Sequence, residues 1–285
     1  MSTLRATEPA TAPGATVSQA LLPGATVPQA VGAPAVSPLL TRLAAERATG
    51  AFLRAQGTLY LVDGRVVHAE SPAAPGIDVL LTAGGALAPQ GWQEALSMAG
   101  TRHEVGRELV AGGHVTAGEL EMCHLGALFD AAFFVLGAAS GPTRFRYGVA
   151  HWLGRVRPVP AAVLERETLR RRALLDSIWP RPDVDTAPVV PRRPAPGQPV
   201  TTRQRALLRL ADGVRTPTAI AWTLGRPSFH TLVEVRRLAA AGLVEAPQMP
   251  VREPVSVALP FPAVTDCADP DIALLRRVRD ALEAL

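Results

Sequence analysis

The chain has 285 residues, a formal net charge of +4 and a pI near 10.0, enough for two domains of the usual ~100 to 150 residues. Lysine and asparagine are absent, every strong base is arginine, and Ala, Gly and Pro are abundant, as in GC-rich coding, so the positive charge does not by itself establish a polyanion partner. The two cysteines, Cys123 and Cys267, lie far apart; this argues against a disulfide framework or a cysteine zinc site and fits a reducing cytoplasm.

Residues 1–36 are rich in Ala, Pro, Thr and Gly and carry a two-copy repeat, residues 13–20 recurring as 23–30. Two proline-rich copies cannot close a core, so a disordered arm is expected. The start of the chain lacks a charged region followed by an unbroken apolar stretch, and no secretory signal is expected.

Residues 37–179 read as an α+β domain, mainly helical, with a small antiparallel sheet. A short amphipathic helix is predicted over 38–47. Strands over 50–54, 58–62 and 65–69 follow, reversing at Gln56-Gly57 and Asp63-Gly64, where Asp-Gly supplies the positive φ of a tight turn. Helices are predicted over 91–99, 105–111 and 117–136, the last with a break near Gly126, then a strand over 143–147 and a charged helix over 159–179. The glycine pairs 84–85 and 112–113 lack phosphate-loop context and read as turns. Residues 122–139 approach the length of a membrane span, but Asp130 sits in the middle and insertion scales put a central Asp at ~2.5 to 3.5 kcal/mol, so a buried helix is expected and no membrane association. Met122, Phe129, Phe133 and Phe134 read as core, and the Arg170-Arg171-Arg172 run as a solvated face shared with Glu165 and Glu167.

Residues 180–200, rich in Pro and Arg, read as a linker. Residues 201–250 then show three helical patterns, two tight breaks and a short apolar strand, the outline of a winged helix-turn-helix. Thr216-Pro217 is a capped helix start, Gly225 a stop, Ser228 the expected cap of the third helix, and Gly242 its end. With Leu232, Val235 and Ala239 inward, Arg226, His230, Val233, Glu234 and Arg237 fall on or beside the outward face. In a DNA complex Arg226, His230, Glu234 and Arg237 would lie nearest the bases, with Arg203, Arg205 and Arg215 on phosphates. Such a helix must stand proud of its neighbours. A Pro-rich connector is expected over 251–268, and an amphipathic helix over 269–285 that docks on its own winged helix or forms a homodimer.

Four segments resemble the bacterial PATAN domain of signalling proteins: the hairpin from Gly50-Ala51-Phe52-Leu53 to Asp63-Gly64-Arg65-Val66-Val67-His68-Ala69, the element Val105-Gly106-Arg107-Glu108-Leu109-Val110, the helix and strand from Phe129 to Phe145-Arg146-Tyr147, and the helix Leu164-Glu165-Arg166-Glu167-Thr168-Leu169-Arg170-Arg171. Such proteins continue into segments like Leu210-Ala211-Asp212-Gly213-Val214-Arg215-Thr216 and Ala240-Ala241-Gly242-Leu243-Val244-Glu245, so the resemblance spans residues 38–246. It implies a regulatory module that binds another signalling protein through residues 37–179, with no catalytic residue to carry over. The chain departs from many response-regulator relatives in having no receiver domain with a phosphorylatable Asp.

The six histidines, His68, His103, His114, His124, His151 and His230, are scattered and accompany no metal or hydrolase motif. No enzyme activity, cofactor or metal is therefore expected. The leading expectation is a cytoplasmic regulator that binds duplex DNA, and the alternative is an adaptor in which both modules bind proteins.

Overall fold

The computed structural model describes residues 37–137, 142–193 and 198–245. The arm over 1–36, the connector over 251–268, Cys267 and the helix expected over 269–285 lie outside the described residues.

The first half is α+β as expected. Helix α1 (Pro38–Ala45) starts with Ser37 as its cap and buries Leu40 and Leu43. Strands β1 (Gly50–Arg54), β2 (Gly57–Val62) and β3 (Arg65–Glu70) form the antiparallel meander read from the turns. Asp63 and Gly64 both take positive φ, 56° and 75°, and Arg47 clamps the turn with two bonds to the Asp63 carboxylate, 2.8 and 2.7 Å. Helix α2 (Ile77–Ala83) has no counterpart in the sequence reading. Then come α3 (Pro89–Ala99), α4 (Val105–Ala111), α5 (Ala117–Val135), β4 (Arg144–Tyr147), the short β5 (Val159–Pro160) and α6 (Ala161–Ile178). Among the described residues the sheet has five strands, in the order β4-β1-β2-β3-β5: β4, expected as a strand, adds to the meander beside β1, and the unexpected β5 beside β3.

Helix α5 crosses this sheet and is the spine of the molecule. A capping box starts it: Thr116 accepts from the Glu119 amide at 3.2 Å while Glu119 accepts from the Thr116 amide at 2.9 Å. It runs unbroken through Gly126, against expectation, since a single glycine costs only ~1 kcal/mol, less than a buried helix gains from packing. Met122, read as core, is instead exposed on its outer face.

Residues 182–191 of the expected linker are a structural part of the second half. Residues 182–185 form a 3-10 turn, and β6 (Val190–Pro191) pairs with β7 (Val244–Glu245). Val184, Ala187 and Val189 are buried with Leu207, Ile220, Val235 and Leu238 in one cluster. The prolines mislead because Pro191 sits in an edge strand, where a missing N-H breaks no ladder.

The remaining helices are α7 (Thr202–Leu208), α8 (Pro217–Leu224) and α9 (Ser228–Ala240). Thr216 caps α8, Pro217 fills its first turn and Gly225, φ 59°, ends it. A side chain at Gly225 would overlap Ala83 of α2, so this turn lies directly against the first half. Among the described residues, no helix is long and apolar enough to cross a membrane.

Candidate binding groove and histidine cluster

Helix α9 does not stand proud. Nine of its 13 residues are buried, including Val233, expected outward but packed in a cluster with Leu175 of α6 and with Phe133, Phe134 and Leu174 around it. α6 covers the flank that a free recognition helix leaves open.

The start of α9 is sealed most tightly. Ser228, expected to cap the helix, leaves its hydroxyl unpartnered, and Asp130 of α5 does the capping from 98 residues away. The Asp130 carboxylate accepts from the Ser228 amide at 2.6 Å through one oxygen and from the Phe229 amide at 2.7 Å through the other. Burial pushes the Asp130 carboxyl up to about 6, opposed by the two amides and by Arg171. A carboxylate at the positive end of a helix is well placed. Phe229 packs on Phe133, ring centres 5.4 Å apart, and lies under the Arg171 guanidinium at 4.6 Å. Arg171 also donates to the Phe129 carbonyl at 3.1 Å, and Arg172 donates to that of Leu136. The arginine run, read as a solvated face, thus partly straps α6 to α5.

A second bolt holds the other half of α9. Arg236, 3% exposed, makes paired bonds to Asp185 at 2.8 and 2.6 Å, and reaches Asp176 at 3.1 Å and the Trp179 carbonyl at 2.6 Å. Asp185 belongs to the stretch expected as linker.

One stripe of α9 still reaches solvent: Arg226 just before it, then His230, Glu234 and Arg237. They line a cleft of about 590 Å³ with Arg170 and Leu174 of α6, Arg203 and Leu207 of α7, and Phe229. Arg237 pairs with Glu234 at 2.9 Å and Arg170 with Glu167 at 2.7 Å, whereas Arg203 and Arg226 have no carboxylate within reach among the described residues. Partial burial in the cleft, then Arg171 and Arg203, holds His230 below its ordinary value. The structure therefore brings Arg203, Arg226, His230, Glu234 and Arg237 together. It leaves out Arg205, whose guanidinium lies over Thr202, and Arg215, which pairs with Asp212 at 3.1 Å.

The structure also corrects the reading of the histidines as scattered. His68 on β3, His124 on α5 and His151 after β4 meet inside the first half. The His68 ring stacks on His151 at 3.8 Å between centres and faces His124 at 5.6 Å. Pairing of β2 with β3 slips between Tyr60↔His68 and Leu61↔Val66, which makes Val67 a bulge, and its carbonyl bonds His124 Nε2 at 2.7 Å. His151 Nδ1 accepts from the Leu153 amide at 3.2 Å, so the proton is on Nε2, which donates to Glu70 at 2.9 Å. The Tyr60 hydroxyl donates to the other Glu70 oxygen at 2.9 Å. The bond from His151 holds Glu70 below its ordinary value, against burial. Burial, and then Glu70, pushes the Tyr60 phenol up. Two ring nitrogens, His68 Nδ1 and His124 Nδ1, are buried without a partner. A cavity of about 600 Å³ reaches His68 and Glu70 past Trp92, Trp152 and Trp222. The one local signal was His68-x-Glu70 on a strand, where alternate residues share a face; His124 and His151 come from elements far along the chain.

No protein-family model, curated protein or solved structure matches this chain.

Proposed function

We propose that the protein is a non-catalytic regulatory adaptor whose α6/α7/α9 cleft holds an acidic segment of a partner protein. One observation carries this reading: Asp130 encloses the tip of α9, the end a DNA-reading helix turns toward base edges. Insertion into a major groove ~12 Å wide also needs a helix with clear flanks, and α9 has α6 on one side and α7 on the other. A cleft of about 590 Å³ suits a peptide segment, and Arg203 and Arg226, with no carboxylate partner among the described residues, favour carboxylates or phosphates there. The resemblance of residues 38–246 to PATAN signalling proteins supports the same class of partner.

A second reading, a regulator that binds duplex DNA, draws on the solvent-facing stripe of Arg226, His230 and Arg237. The two are separated by titrating the full chain against a labelled Glu-rich peptide and a labelled duplex over a range of salt. The adaptor reading expects saturable peptide binding, weakened at least about tenfold by Arg203→Glu with Arg226→Glu, and only weak duplex binding. Duplex binding with a steep salt slope, lost in the same variant, with no peptide binding, would favour DNA.

A further inference from the structure

We infer that His68, Glu70 and His151 form a binding site for a divalent transition-metal ion of zinc-like preference, reached through the cavity beside Trp92 and Trp152. This site is distinct from the groove and does not depend on its reading.

The first argument is convergence. One donor atom from each of the three residues lies within 4.8 Å of the other two, although the residues span 83 positions of sequence, from 68 to 151. The second is an unspent donor: His68 is 2% exposed, and its Nδ1 has no hydrogen-bond partner. A buried polar atom normally finds one, and an ion is among the few explanations for an exception. The third is the donor set. Two imidazoles and one carboxylate, with an open position toward a cavity, suit zinc and its neighbours, whereas magnesium and calcium prefer oxygen alone.

The surroundings position these donors. Tyr60 fixes one Glu70 oxygen at 2.9 Å and leaves the other directed at His151. The His68 and His151 rings are stacked at 3.8 Å with 23° between their planes, and a metal lies in the plane of each imidazole it binds. Capture therefore requires the two rings to turn apart, and His68 is the one that borders the cavity. As the ion takes His151 Nε2, the proton there moves to Nδ1, and the 3.2 Å contact from the Leu153 amide opens. The Nε2 bond to Glu70 is given up as well, and these two hydrogen bonds are replaced by the bonds that the imidazole and the carboxylate make to the ion.

The test is calorimetric titration of zinc chloride into the chelator-treated full chain, with cobalt(II) absorption to report the donor geometry. The expected result is one tight equivalent per chain, a visible band of a four- or five-coordinate cobalt site, and no competition from magnesium. His68→Gln and Glu70→Gln should each weaken zinc by at least about tenfold, and Tyr60→Phe, which frees Glu70 but keeps all three donors, by less. Glu70 is nearly half exposed, so Glu70→Gln carries the test if His68→Gln does not fold. Absence of stoichiometric zinc binding overturns the inference. So does binding that survives unchanged in the Glu70 and His68 variants, which would place the ion adventitiously at a surface histidine such as His103.

Discussion

Two buried polar regions of this molecule differ in how completely their bonding capacity is used. At the junction around α9, Asp130 spends both oxygens on two amides and Arg236 spends its guanidinium on two carboxylates and a carbonyl. In the histidine cluster, His68 and His124 each keep a ring nitrogen with no partner. A fully paired buried charge does structural work, because removing either side strands the other. An unpaired buried nitrogen weakens the fold and is kept where something else uses it. The junction is therefore read as a joint, and the cluster as a site.

The sharpest way to break this contrast is at the joint. Arg236→Ala leaves the largely covered Asp185 carboxylate without its cation and should lower unfolding stability by up to about 3 to 5 kcal/mol, read from urea midpoints at constant m. Asp130→Ala strands two buried amides and should cost about 2 to 4 kcal/mol by the same assay. If both losses fall below ~1 kcal/mol, the joint is not structural.

A pH series sharpens the same point. Asp130, pushed up to about 6 in the folded chain, has an ordinary value near 3.9 when unfolded, so the folded state binds more protons between about 4 and 6. Its contribution should fall as pH rises through that window, by at most about 3 kcal/mol, and stay flat above it. The stability difference between the native chain and Asp130→Asn isolates this change, since the amide does not titrate. A difference that widens from pH 4 to 6 would contradict the burial of this carboxyl.

The smallest effect is expected in the cluster. With no metal added, His68→Leu removes an unpartnered nitrogen and keeps the volume, so stability should change by less than ~1 kcal/mol in either direction. A loss comparable to that of Arg236→Ala would make His68 a structural residue and erase the contrast.

Local patterns were legible where local chemistry decides. The Asp63-Gly64 turn, the Thr216-Pro217 start and the Gly225 stop all stand where the sequence puts them. The apolar stripe of α9 was legible too, since Leu232, Val235 and Ala239 are buried as their spacing requires. What lay beyond reach was long-range pairing. Asp130 was visible as an acid in an apolar helix, but nothing in the spacing links it to the amides of residues 228 and 229. Arg236 looked like one arginine among many, and Val184 and Val189 were masked by the prolines around them. The histidines failed for the same reason, because only the path of α5 across β3 brings residue 124 to residue 68.

The central claim is that α9 is built into the body of the protein rather than held out to enter a groove. Amide hydrogen exchange over residues 226–240 of the full chain tests this most directly. The account predicts that the Ser228 and Phe229 amides exchange as slowly as the middle of α5 and quicken together with it. Fast exchange at those two amides while α5 stays protected would mean that the helix swings free, and would contradict it.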